Sequence, residues 1–261
     1  MSLSDTQIAD FERDGFVAIR GAVDRATIDD CRRQLWELLA EDPADPTTWT
    51  EPVRRLSSPM TRPFTRAAHA TALSEAYDQL VGSGRWQRRI ELGNVAVRFP
   101  TGTDSSDTGW HIDASYLPDG ARRYFINVSS RDRGLLMLFL LSDVDDDDAP
   151  TRIRAGSHLD VPRHLAPYGP AGVDMFELAD VLDRIGRTET ADRREVLATG
   201  SAGDVFLCHP FLVHAAQLHR GTPGRVASPR FLAQPGLMLS EQFDLDHPSS
   251  PVERTIAAGL T

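Results

Sequence analysis

His111 and Asp113, in Trp110-His-Ile-Asp113, carry the strongest chemical signal in the chain. On an extended segment alternate residues point to the same side. An imidazole nitrogen and a carboxylate oxygen would then face one point. With a distant histidine they form two nitrogens and one oxygen on one face of an octahedron. That is the donor set of non-haem iron(II) oxygenases, with three positions left for a cosubstrate and oxygen. A lone His-x-Asp triplet also arises by chance in polar loops, so the rest of the chain must supply its company.

The first companion is the segment 203–214, Gly-Asp-Val-Phe-Leu-Cys-His-Pro-Phe-Leu-Val-His. It reads as a turn, a strand, and a second short strand ending near His214. After a turn at 221–224 come Arg225 and Arg230. A guanidinium fork matches a carboxylate through two parallel hydrogen bonds, which suits the far end of a dicarboxylate such as 2-oxoglutarate. Spacing alone does not choose between these two arginines. Arg98, thirteen residues before His111, is a further candidate for the cosubstrate or an anionic substrate group, and equally a surface arginine at a strand end. His209, just before Pro210, is expected to face away from the side His214 faces. His158 is expected to be structural and Cys208 to lie in the core. Trp110, Tyr116, Phe125 and Phe139 are expected either to wall a pocket or to fill the core.

The elements that would position these residues fall into two regions. Ser4-Asp-Thr-Gln7 fits a capping box, so a short helix starts there and ends before Gly15. Residues 16–19 read as a strand. Residues 24–40 carry Ile28, Cys31, Leu35, Leu38 and Leu39 at helical spacing. Residues 42–66 hold several prolines and little periodicity, and are expected to form a long surface loop. A helix follows over 70–81, closed by Gly82. From about residue 90, segments 92–99, 124–128, 135–141, 151–153, 204–207, 211–216 and 226–234 read as strands separated by turns. A helix over 174–185 interrupts them, within an insertion over 160–199. The aspartate run at 145–148 reads as a solvated turn rather than a calcium site. The expected architecture is mainly β with flanking helices around a jelly-roll, cupin-like core. It forms one domain over 1–261: a mostly helical flank over 1–90, a core over 91–235 and a tail over 236–261.

Composition narrows the function. With 41% hydrophobic and 25% charged residues the chain is an ordinary globular protein. The longest apolar run, 135–141, is far too short for a membrane span. The first residues lack a basic region followed by an apolar stretch, so the cytoplasm is the expected compartment. Two cysteines exclude a disulfide framework and a paired-cysteine zinc site. A net charge of −10 disfavours nucleic acid. All 28 basic residues are arginine. Without lysine there is no Schiff-base or pyridoxal phosphate chemistry and no P-loop lysine. A small-molecule substrate is expected, with no obligate protein partner.

In order and spacing these motifs resemble the phytanoyl-CoA dioxygenase family, iron(II)- and 2-oxoglutarate-dependent oxygenases with a double-stranded β-helix core. The resemblance runs from residues 7–19 through Trp110-His-Ile-Asp113, Leu141-Ser-Asp-Val-Asp-Asp and Ala155-Gly-Ser-His158 to Gly203-Asp204, His214 and Arg225. It implies that His111, Asp113 and His214 bind Fe(II). It also implies that Arg225, eleven residues after His214, holds the distal carboxylate of 2-oxoglutarate, with O2 as the oxidant. Ala155 stands where the family usually has proline, and Ala216 where some members have serine. Related halogenases replace the aspartate with a small residue. Asp113 is present, so hydroxylation or a related oxidation is expected. Two other readings remain: a non-catalytic β-barrel ligand-binding module, and a zinc hydrolase using the same three side chains. The segments 42–66 and 160–199 are expected to act as a lid.

Overall fold

A computed structural model describes residues 2–178, 180, 190–221 and 228–261. The main sheet is antiparallel and runs in the order β1 (Phe16–Ile19), β9 (Val205–Cys208), β5 (Arg133–Leu140), β11 (Arg230–Ala233), β3 (Asn94–Arg98) and β2 (Val53–Ser57). A further strand, β12 (Gly236–Met238), also pairs with β5. A second sheet stacks β10 (His214–Ala215), β6 (Arg152–Arg154) and β8 (Glu195–Leu197). A ribbon of β4 (Phe125–Ile126) and β7 (Val173–Asp174) stands apart. The fold is the double-stranded β-helix expected from the sequence.

Alternation along β5 shows why the sheets pack as they do. Leu135, Met137 and Phe139 join one core cluster, and Leu136, Leu138 and Leu140 join another. A strand buried on both faces reads as a continuous apolar run, which is why 135–141 stands out in the sequence. The first face meets the helices: α1 (Asp5–Asp14), α2 (Arg25–Trp36), α3 (Arg62–Ala68) and α4 (Thr71–Val81) contribute Phe11, Ile28, Leu35, Phe64, Leu73 and Leu80. The second face meets the small sheet through Ile153 and Leu212. On β3 the same alternation sends Val95 and Val97 to the helical side, leaving Ala96 and Arg98 toward the small sheet.

The helix starts follow the sequence. Ser4 Oγ accepts from Gln7 N, Gln7 Oε1 accepts from Ser4 N, and Gly15 closes α1 at φ 82°. Left-handed backbone there favours glycine. A Cβ would also meet His158 Nδ1 at 2.5 Å.

Several expectations need correction. Residues 42–66 are not a long loop. They hold a 3-10 turn at Pro46–Thr48, strand β2 and the start of α3, and β2 pairs in full register with β3, Val53 opposite Arg98 through Ser57 opposite Asn94. Edge strands are often short and charged, so Val-Arg-Arg-Leu-Ser shows no apolar alternation. The expected strands at 124–128 and 211–216 shrink to two residues each. A short helix α5 spans Pro162–Leu165, and the tail over 236–261 belongs to the fold: it contains β12 and α6 (Pro251–Ala258). Within the expected helix over 174–185, residues 175–178 are helical, and 179 and 181–185 lie outside the described residues. Residues 145–148 form a turn as expected, with Asp148 Oδ2 accepting from Asp145 N at 3.0 Å. No helix among the described residues is long and apolar enough to cross a membrane.

Candidate active site

The backbones of His111 and His214 form an isolated antiparallel bridge, each N donating to the other's O at 2.9 Å. His214 also pairs with Ile153 of β6. The His111 segment is thus a further extended piece on the edge of the small sheet. Two residues on, Asp113 points to the same side. The ligand-type atoms of His111, Asp113 and His214 all lie within 4.8 Å of one another.

Each histidine is oriented by its own backbone. His111 Nδ1 sits 2.9 Å from Gly109 O, and His214 Nδ1 sits 3.0 Å from Leu212 O. An N–H at Nδ1 would donate to these carbonyls and leave the lone pair on Nε2, which fixes the tautomer a metal ligand needs. His214 Nε2 is buried and has no hydrogen-bond partner. An orphaned acceptor costs free energy unless something fills the space before it. Burial, then the charge of His111, push His214 down to about 4, so its ring is neutral at ordinary pH. Burial pushes the Asp113 carboxyl up, but Arg133 and the two histidines more than offset it, and the net shift is downward. Two imidazoles and one carboxylate are a donor set that fits a divalent transition metal.

The carboxylate of Asp113 is divided between two neighbours. Its Oδ1 lies 3.8 Å from His111 Nε2, and its Oδ2 lies 3.3 Å from Arg133 Nη1.

A cavity of about 570 Å³ opens from the triad between the two sheets. Its wall includes Arg98 and Arg230, which sit opposite each other in register on β3 and β11. Both are buried, at 3% and 2% exposure. Arg98 is neutralised: Nη2 donates to Asp107 Oδ2 at 2.6 Å and Nη1 to Ser105 Oγ at 2.8 Å, while Arg55 pairs with the same Asp107. Arg230 differs. Its Nη1 donates to Ala149 O at 2.6 Å and its Nε, like that of Arg98, has no partner, but no carboxylate among the described residues pairs with it. Burial, then the charge of Arg98, push Arg230 down to about 9. A guanidinium nonetheless stays protonated, so a bound anion would relieve that strain.

Arg98 lines the cavity and is buried, so it is not a surface arginine at a strand end. Arg225 lies outside the described residues. His209 and His158 are buried against each other, ring centroids 4.8 Å apart, away from the triad. Cys208 lies in the core between the sheets. Phe139 is core, and Tyr116 is buried with its hydroxyl donating to Ala171 O at 2.5 Å. Trp110 lies under the guanidinium groups of Arg152 and Arg154. The cavity's apolar rim comes instead from Tyr124 and Met175, beside the β4–β7 ribbon. Arg55, Arg89, Asp107 and Arg133 also line it and were not singled out in the sequence. Arg133 stands one residue before the apolar run, separated from it by Gly134, and reads only as a strand-edge charge.

The family model for phytanoyl-CoA dioxygenase (PhyH) matches residues 11–227. No curated protein matches the chain in sequence. Among solved structures, the chain is similar to the non-heme alpha ketoglutarate dependent carbocyclase SnoK from nogalamycin biosynthesis, at 17% identity and TM-score 0.59, covering 92% of this chain and 86% of that one. It is similar to the epimerase SnoN in complex with Fe3+, alpha ketoglutarate and nogalamycin RO, at 19% identity and TM-score 0.60, covering 90% and 82%. HygX from Streptomyces hygroscopicus with nickel, 2-oxoglutarate and hygromycin B bound gives 18% identity and TM-score 0.55, covering 91% and 88%. At these identities the likeness carries the fold. With the family model spanning most of its length, the chain belongs to the phytanoyl-CoA dioxygenase (PhyH) family.

Proposed function

We propose that the protein is a non-haem Fe(II)- and 2-oxoglutarate-dependent dioxygenase that hydroxylates a small-molecule substrate in the cytoplasm. The observation that carries the reading is the buried, unpartnered Nε2 of His214, aimed at the point His111 and Asp113 share. When bound, iron(II) with 2-oxoglutarate and O2 supplies the oxidation of a substrate C–H bond, and 2-oxoglutarate leaves as succinate and CO2.

The chain's own residues do the positioning. His111 and His214 present Nε2, held by Gly109 O and Leu212 O. Asp113 presents its carboxylate. Arg230 holds the distal carboxylate of 2-oxoglutarate, because it is the buried guanidinium of the same cavity with no carboxylate partner among the described residues. Arg98, tied to Asp107 and Ser105, backs this anion site. The family resemblance supports a second reading, in which Arg225, eleven residues after His214, takes that role. Tyr124 and Met175 at the rim supply apolar contact for the substrate. Asp113 occupies the position that a halide would need, which favours hydroxylation over halogenation. The carbocyclase and epimerase named above show other outcomes in proteins of the same fold.

The experiment is succinate release from 2-oxoglutarate by the full chain with Fe(II) and O2, with zinc as control. Release with iron alone supports the reading. Hydrolytic activity with zinc and no succinate would favour a zinc hydrolase. Ligand binding with neither would favour a non-catalytic module.

A further inference from the structure

Among the described residues, Arg133 is the one charged side chain outside the triad that forms an ion pair with a triad member. Its guanidinium Nη1 lies 3.3 Å from Asp113 Oδ2 and lines the cavity. The other oxygen, Oδ1, is the one nearer the histidine nitrogen, 3.8 Å from His111 Nε2. The two oxygens of one carboxylate thus face different partners. A carboxylate can give a metal one oxygen or both. Resting on the metal-site reading above, we propose that Arg133 is a positioning residue that holds Oδ2 of Asp113 so that only one oxygen reaches the metal.

The support around Arg133 is built for this. It opens β5, and its main chain is fixed by Ser130: Arg133 N donates to Ser130 O at 3.0 Å, and Ser130 Oγ donates to Arg133 O at 2.8 Å. The stem passes over Gly236 on the neighbouring strand β12, where a Cβ would sit 3.0 Å from Arg133 Nε and 3.6 Å from its Cγ. A Cβ at 236 would press on the arginine, whose Nε must give by a few tenths of an ångström, and a branched side chain would push it further. The consequence concerns open positions at the metal. Three protein donors leave three positions, two for 2-oxoglutarate and one for O2. A second Asp113 oxygen would take one of them and compete with the cosubstrate. Metal affinity itself is a poor readout, because removing Arg133 also removes a positive charge that repels the cation. The informative readouts are coordination number and cosubstrate affinity.

The test uses the full-length protein loaded with Co(II), its visible absorption reporting coordination, titrated with 2-oxoglutarate. Arg133→Gln should raise the coordination number before 2-oxoglutarate is added. It should also weaken 2-oxoglutarate binding by about tenfold, at the low end for residues that orient a metal ligand. Arg133→Lys should recover part of the wild-type behaviour. Gly236→Val keeps the arginine's charge but moves it, and should behave like Arg133→Gln. Melting of the metal-free variants controls for folding, and Arg133→Lys and Gly236→Val decide the matter if Arg133→Gln is unstable. Wild-type spectra and affinity in Arg133→Gln and Gly236→Val would overturn the role of Arg133. Failure of the wild-type protein to bind Co(II) at all would instead overturn the metal site on which the role depends.

Discussion

His111 and His214 exchange both backbone hydrogen bonds at 2.9 Å, so two distant parts of the chain bring their imidazoles together as neighbours in a ladder. Their ring centroids are 4.5 Å apart. The spacing is set by main-chain pairing, so the site is formed before any metal arrives. Asp113→Ala or His214→Ala should leave the circular dichroism and melting of the metal-free protein close to wild type while lowering Co(II) affinity by at least tenfold. Loss of the fold in both variants would mean that these side chains are structural.

Arg230 and Arg225 make different claims on 2-oxoglutarate. Arg230→Ala should raise the KM for 2-oxoglutarate steeply, because removing one partner of a closed charge pair costs about 2–5 kcal/mol. Arg225→Ala should change it little. The reverse result would move the anion site to the segment after His214 and leave Arg230 as a support.

Acid should destabilise the protein through His158 and His209. Burial pushes His158 down to about 4 and His209 well below its ordinary value. Unfolding releases both to about 6.5. Between these limits the unfolded chain binds more protons, so stability is full above pH 6.5 and falls as pH drops toward 4. His158 alone contributes up to about 3 kcal/mol. Denaturant unfolding of the metal-free protein from pH 7.5 to 4.5 should show this fall, with a shallower slope in His158→Gln. An unchanged slope in that variant would remove His158 from the explanation.

Glu253 ties the C-terminal helix to the body. Its side chain is fully buried and accepts from Arg85 Nη2 at 2.7 Å and from the backbone N of Asp244, Ser249 and Ser250. Burial pushes its carboxyl up, but Arg85 and the backbone donors more than offset it and hold it well below the ordinary range. Breaking such a pair leaves an uncompensated charge and costs about 3–5 kcal/mol. Glu253→Ala should lower the denaturant midpoint strongly, whereas an unchanged midpoint would make α6 a dispensable appendage.

The legible parts of the chain are those where local pattern and final environment agree. The run 135–141 shows β5 because both faces of that strand are buried. His111 and Asp113 share a side because period two needs only an extended backbone. Strand β2 was hidden because its stability comes from β3, far along the chain, and its outward arginines break any alternation. Helix α6 begins at Ser250-Pro-Val-Glu253, a capping box that the structure forms in full inside the stretch expected to be a tail. The roles of Arg230 and Arg133 depend on register. Only the pairing of β11 with β3 sets Arg230 beside Arg98, and only the proximity of Arg133 to Asp113 reveals the divided carboxylate.

The central claim is that His111, Asp113 and His214 hold a metal to which 2-oxoglutarate binds. The most direct measurement is an anaerobic titration of the full chain with 2-oxoglutarate, with and without Fe(II), in the wild type and in His214→Ala. The expected result is one tight 2-oxoglutarate site that requires the metal and disappears in His214→Ala. Equal binding without metal, or undiminished binding in His214→Ala, would contradict it.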